Sequence, residues 1–132
     1  MFNDRVYPRL YCDQARGFCR YLLDLDSGVK RALFTYFSLE TGELIREITP
    51  WRVHRRSVER YVGRHGLVWP KVLRKASWQL LLSAGVPREV ARFLHSRFGE
   101  LRVSEEYYED LVRRAGEWYP RYLGFLRQQG LL

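Results

Sequence analysis

The sequence predicts a mainly α domain with a small N-terminal antiparallel β-hairpin or sheet, an α+β fold. Three observations carry that reading. Aromatic and aliphatic runs flank a turn near the N-terminus; helix punctuation by Pro and Gly begins after residue 50; and 46% of the 132 residues are apolar and 15% aromatic, enough for one real core. The chain is read as a single domain over 1–132, β-rich over 1–49 and helical over 50–132.

Phe18 to Leu25 and Arg31 to Leu39 are rich in Tyr, Leu and Phe, and Asp26-Ser27-Gly28 between them is turn chemistry. The pair forms a hairpin with Lys30 near its turn. Thr41-Gly42-Glu43 signals a further turn. Val53 to Val62 is a loosely patterned helix ended by Gly63 and Gly66. Pro70 opens a helix through Ala84, stopped by Gly85, with Val72, Ala76, Leu80 and Ser83 on one face. Pro87 starts the next, which carries Val90, Ala91, Phe93 and Leu94. Ser104 is an N-cap with Glu105 and Glu106 in the first turn; Arg113 and Arg114 fall in the last turn, and Gly116 closes that helix. Trp118 to Gln129 makes a final helix, for about five in all.

Charge narrows the function classes. There are 23 basic and 15 acidic residues, a net charge of +8. An excess of this size suits a polyanion, because each neutralised phosphate releases counterions. No segment has the basic-and-apolar design of a lipid-surface helix, no run is long enough to span a bilayer, and the N-terminus lacks a secretion signal. Duplex DNA is therefore the expected partner, with no membrane, no metal and no small-molecule cofactor. Arg52, Arg55, Arg56, Arg60 and Arg64 form the densest cluster. Cys12 and Cys19 have no His or Cys partners at zinc spacing and read as reduced thiols in a cytoplasm.

Lys71-Val72-Leu73-Arg74 places an ammonium and a guanidinium three residues apart at a helix start, where they share a face and can hold a phosphate. Arg97 follows Arg74 by 23 residues and Tyr107 follows Arg97 by ten. In that order and spacing, Lys71-x-x-Arg74, Phe93-Leu94-His95-Ser96-Arg97 and Glu106-Tyr107-Tyr108 resemble the C-terminal catalytic boxes of tyrosine recombinases. The nearest likeness is to integrases of archaeal viruses and integrated elements, whose tail also resembles Trp118-Tyr119-Pro120-Arg121-Tyr122. Gly28-Val29-Lys30-Arg31-Ala32 is similar to the hairpin that presents the family's catalytic lysine. The likeness runs from about Gly17 onward.

The resemblance implies an enzyme that breaks and rejoins DNA through a 3′-phosphotyrosine without a metal. Tyr107 would be the nucleophile, Arg74 and Arg97 the clamps for charge building on the phosphate, Lys30 the leaving-group acid, and Lys71 a further basic catalytic group. Lys75, Arg31, Arg55, Arg56 and His95 would face the DNA. A prokaryotic cytoplasm, an archaeal host or a virus-encoded element is the setting implied, and self-assembly on DNA is left open. Periodicity separates the two tyrosines: Tyr108, Leu111, Val112 and Ala115 follow i, i+3, i+4, i+7, a core stripe, and Tyr107 lies off it.

Two features depart from the family. It places another arginine on a helix well before the hairpin, whereas 29 residues precede Lys30 here, and Arg5, Arg9 and Arg16 are not in the family's Gly-x-Arg setting. The expectation is a catalytic domain, or a truncated remnant of one, without its first arginine box. Glu105, Glu106, Glu109 and Asp110 also crowd Tyr107, where relatives carry basic residues. Two other readings compete: a non-catalytic DNA-binding protein using a helix-turn-helix over 71–97, with Arg88 and Arg92 facing the groove, and a structural remnant without DNA chemistry.

Overall fold

A computed structural model describes residues 8–25, 32–48, 52–95 and 105–132. Three strands come first: β1 (Leu10–Asp13), β2 (Phe18–Leu25) and β3 (Ala32–Ser38), antiparallel in the order β1-β2-β3. Five helices follow: α1 (Leu39–Ile48), α2 (Arg55–Arg64), α3 (Pro70–Ser83), α4 (Arg88–Leu94) and α5 (Glu105–Gln128). The α+β class is as expected. The Asp26-Ser27-Gly28 turn and the Ser104 cap lie outside the described residues.

The membership of the helices differs from expectation at both ends. The turn signal at Thr41-Gly42-Glu43 lies inside α1, within the stretch read as β-rich. Ser38 explains the start: buried at the end of β3, its Oγ accepts from the Thr41 backbone N–H at 3.3 Å and caps the helix. Gly42 is there for room. A Cβ at that position would meet Cys19 Sγ at 3.0 Å and the Phe37 ring at 3.4 Å, so α1 packs on the sheet only through a bare backbone.

Gly116 does not close a helix. α5 runs through it as 24 uninterrupted residues with Pro120 inside. A proline has no N–H to give the carbonyl four residues earlier, here that of Gly116. Arg16 supplies the missing donor, with Nη1 bonding Gly116 O at 3.1 Å from a hundred residues away. The sequence signals for an end at 116 are real, and a tertiary hydrogen bond overrides them.

β1 was not anticipated, and it reverses the cysteine reading. Cys12 lies opposite Cys19 in the β1–β2 ladder with Cα atoms 4.1 Å apart, and the two are joined as a disulfide. Two cysteines seven apart read as separate thiols only while β1 is invisible.

The core lies where β2 and β3 meet α4 and α5. Leu22 and Phe34 from the sheet, Val90, Ala91 and Phe93 from α4, and Tyr108, Leu111, Val112 and Ala115 from α5 are all buried. The stripe expected on α5 is thus the stripe observed. On α3 the buried face is Leu81 with half-buried Ser77 and Trp78, while Val72 and Leu73 are 51% and 55% exposed. Of the expected face, Leu80 packs against the core, as does Trp78, read as broadening that face, whereas Val72, Ala76 and Ser83 are exposed.

Candidate functional site

α3 enters with Pro70 at its first position and Trp69 extended before it, without a side-chain cap or an acidic residue in the first turn. Lys71, Arg74 and Lys75 crowd that end. Cations there are unfavourable to the helix dipole, which makes the place receptive to anions. Lys71 and Lys75 point to solvent. Arg74 shares the face of Ser77, Trp78 and Leu81, so it turns toward the body of the protein. Its Nη2 reaches the His95 carbonyl at 3.4 Å.

His95 is held in turn. Its Nε2 lies 3.2 Å from Ser77 Oγ, and its ring meets Trp78 edge-on at 5.5 Å. His95, read as DNA-facing, thus links α3 to the end of α4. Arg74, Ser77 and His95 form one wall of an open cavity of about 700 Å³, lined also by Tyr36 of β3 and by Tyr119 and Tyr122 of α5. Burial, aided by Tyr122, pushes the Tyr119 phenol well above its usual range near 10. That tyrosine stays protonated and packs.

Tyr107 is 37% exposed and Tyr108 is 6% exposed, in the core. The two tyrosines divide as their spacing requires. Tyr107 is not among the residues lining the Arg74 cavity. It precedes Tyr119 by twelve residues on the same helix, about 18 Å along the axis. Lys30, Arg31 and Arg97 lie outside the described residues.

Of the acidic residues near Tyr107, Asp110 has a partner elsewhere. Asp110 binds Arg113 at 2.7 Å, and Glu117 binds the same guanidinium at 2.9 Å. The hydrogen bond that Arg113 donates to Asp110, with Glu117 beside it, holds the Arg113 pKa above its ordinary value. Glu89 of α4 takes Arg114 at 3.1 Å. Glu106 and Glu109 face solvent.

On α2, Arg55 is paired with Glu59 at 3.0 Å while its side chain stays exposed. Arg56, Arg60 and Arg64 are exposed at i, i+4, i+8 and form a stripe on one side. Only Val62 of α2 is buried. His54 caps the helix, its Nδ1 accepting from the Arg56 N–H at 3.2 Å.

Sequence reading missed Ser77, the cavity and the hydrogen bond from Arg16 to Gly116. Ser77 was legible as the i+3 neighbour of Arg74; Arg16 was not, since its partner is remote in sequence. Among the described residues no group of His, Cys, Asp and Glu is placed to hold a metal, and no helix is long and apolar enough to cross a membrane.

Fold and surface together define a small basic α+β domain whose cations gather on α2 and the start of α3. The chain belongs to the archaeal phage integrase family, whose model matches residues 4–124. No curated protein and no solved structure matches it. Membership points to DNA recombination of the integrase kind, with DNA as partner.

Proposed function

We infer that this chain is the C-terminal catalytic domain of a tyrosine-recombinase integrase, or a remnant of one, and that it grips the DNA backbone through α2 and the start of α3. The chemistry assigned to it is attack by the Tyr107 oxygen on a phosphodiester, leaving a 3′-phosphotyrosine and a free 5′-hydroxyl. Arg74 and Arg97 would stabilise charge on the phosphate oxygens, Lys71 would add a cation, and Lys30 would protonate the leaving oxygen. Lys75, Arg31 and Arg56 would hold flanking phosphates.

The observation that carries this reading is Arg74. It is the one residue of the first box that turns inward, steadied by the His95 carbonyl beside two free-standing lysines. A guanidinium fixed by protein loses little freedom on meeting a phosphate. Because acidic residues flank Tyr107, where they repel a phosphate, the isolated chain should bind duplex DNA in a salt-dependent way and cleave it barely.

A nicked suicide substrate, which traps any covalent adduct, tests this. Faint trapping abolished by Tyr107→Phe and kept in Tyr108→Phe is the expected result. An adduct through Tyr108 would overturn the nucleophile. A sulfate soaked into crystals should touch both Arg74 and Arg97; if it touches only one, the shared clamp is wrong.

One observation favours the second reading, a non-catalytic DNA-binding protein. α3 and α4 are joined by four residues turning at Gly85 (φ 83°), and Arg88 and Arg92 are exposed on α4. Under that reading Arg88→Ala relaxes sequence preference and Tyr107→Phe changes nothing.

A further inference from the structure

Two helices expose apolar side chains in ordered columns. On α1, Leu44 and Ile48 are 60% and 48% exposed, one turn apart. On α3, Val72 is 51% exposed and Ala76, one turn on, is exposed too. Single exposed apolar residues are ordinary, whereas grouped ones mark contact surfaces. Each column has a charged neighbour. Glu43 and Glu47 immediately precede Leu44 and Ile48, and Lys71 and Lys75 immediately precede Val72 and Ala76; all four charged residues are exposed. Residues four apart stack on a helix, so each helix presents an apolar column with a charged column along the same edge. The signs are opposite. The faces these helices bury, Gly42 on α1 and Leu81 on α3, lie elsewhere.

We propose that α1 of one copy of this chain docks antiparallel on α3 of a second copy. The direction follows from handedness. In both helices the charged column lies on the same side of the apolar one. Face to face and parallel, each charged column would meet the partner's apolar column. Antiparallel, glutamates meet lysines and Leu44 and Ile48 meet Val72 and Ala76.

Charge selects the occupant. α1 carries three acidic residues and one basic, while residues 52–75 carry eight basic and one acidic. Two α3 surfaces repel, and an α1 surface is drawn to α3 of another copy. The contact joins unlike surfaces, so it is heterologous: each pairing leaves one α1 and one α3 face open, and the copies continue into a ring or an open chain.

Sedimentation velocity over a concentration series at low salt, without DNA, tests this. The wild-type chain should associate beyond a dimer, and salt should weaken that association. Leu44→Glu/Ile48→Glu destroys the α1 face and Val72→Glu/Ala76→Glu the α3 face. Each variant alone should be monomeric, its association at least tenfold weaker, with an unchanged circular dichroism spectrum. Mixed in equal amounts they should form a 1:1 dimer and nothing larger, because one retains α3 and the other α1. If either pair perturbs the fold, Glu43→Lys/Glu47→Lys and Lys71→Glu/Lys75→Glu serve instead: each abolishes association and the combined variant restores it. A wild-type monomer at all concentrations overturns the proposal. So does a variant that still self-associates, or a mixture that stays monomeric.

Discussion

α5 and α2 come from the same chain and follow opposite rules. α5 buries Tyr108, Leu111, Val112, Ala115, Tyr122 and Leu123 against the sheet and α4. α2 buries Val62 and shows solvent its arginines. The first helix exists because it packs. The second relies on its own cap, an i,i+4 ion pair between Arg55 and Glu59, and whatever binds its surface. In this fold the residues that make the domain stable and those that make it basic sit on different elements. Stability and DNA affinity can therefore be altered separately.

The largest break in that comparison is made in the core. Phe93→Ala, at a fully buried position between α5 and β3, should cost roughly 3–5 kcal/mol in urea unfolding. Val58→Ala on α2 should stay within about 0.5 kcal/mol. Equal losses would show that α2 is part of the cooperative core.

Next comes the disulfide. Cys12→Ser opens a short loop and should cost roughly 2–3 kcal/mol, seen as an equal loss when the wild-type chain is unfolded with reductant. A wild-type stability indifferent to reductant would mean that the β1–β2 ladder holds without the bond.

A smaller effect isolates the support of α5. Arg16→Ala should cost about 1–2 kcal/mol, because it leaves the Gly116 carbonyl that Pro120 cannot serve. In a Pro120→Ala background the N–H returns and the same change should cost under about 0.5 kcal/mol. Additive losses would show that Arg16 acts through Asp13 instead.

The Tyr119 phenol sharpens the core side by pH. Its folded pKa is raised, so its contribution is complete below the unfolded value near 10 and is lost as pH rises from there toward the folded value. Unfolding free energy should be level up to about pH 10 and fall above it, less so in Tyr119→Phe. The smallest effect on stability belongs to α2. Arg56→Ala/Arg60→Ala/Arg64→Ala should leave unfolding unchanged within about 0.5 kcal/mol, yet lower the slope of log affinity for duplex DNA against log salt by about 2.7. An unchanged slope with binding intact would place the DNA elsewhere on the domain.

Much of the fold was legible because most of its signals are local. Pro70 and Gly85 bracket α3, and the stripe from Tyr108 to Ala115 named the packed face of α5 before the structure did. What failed was set at long range. Gly42 reads as a turn until Cys19 is seen against it, Gly116 reads as a stop until Arg16 arrives, and the cysteines read as thiols until β1 pairs with β2. The site divided similarly. Spacing separated exposed Tyr107 from buried Tyr108, and the short interval from Lys71 to Arg74 marked a basic helix start. The distance from Tyr107 to Arg74 depends on how α3 and α4 lie along a long helix, which no spacing encodes.

The shallow anchoring of α2 carries a consequence for motion. A helix held by one buried valine can open while the rest of the domain stays folded, so its amide hydrogens should exchange with solvent through local opening. Those of α5 between Tyr108 and Leu123 should exchange only with global unfolding. Any ligand that lays phosphates along Arg56, Arg60 and Arg64 would slow exchange in α2 first, making that helix a reporter of occupancy that needs no chemistry to be read.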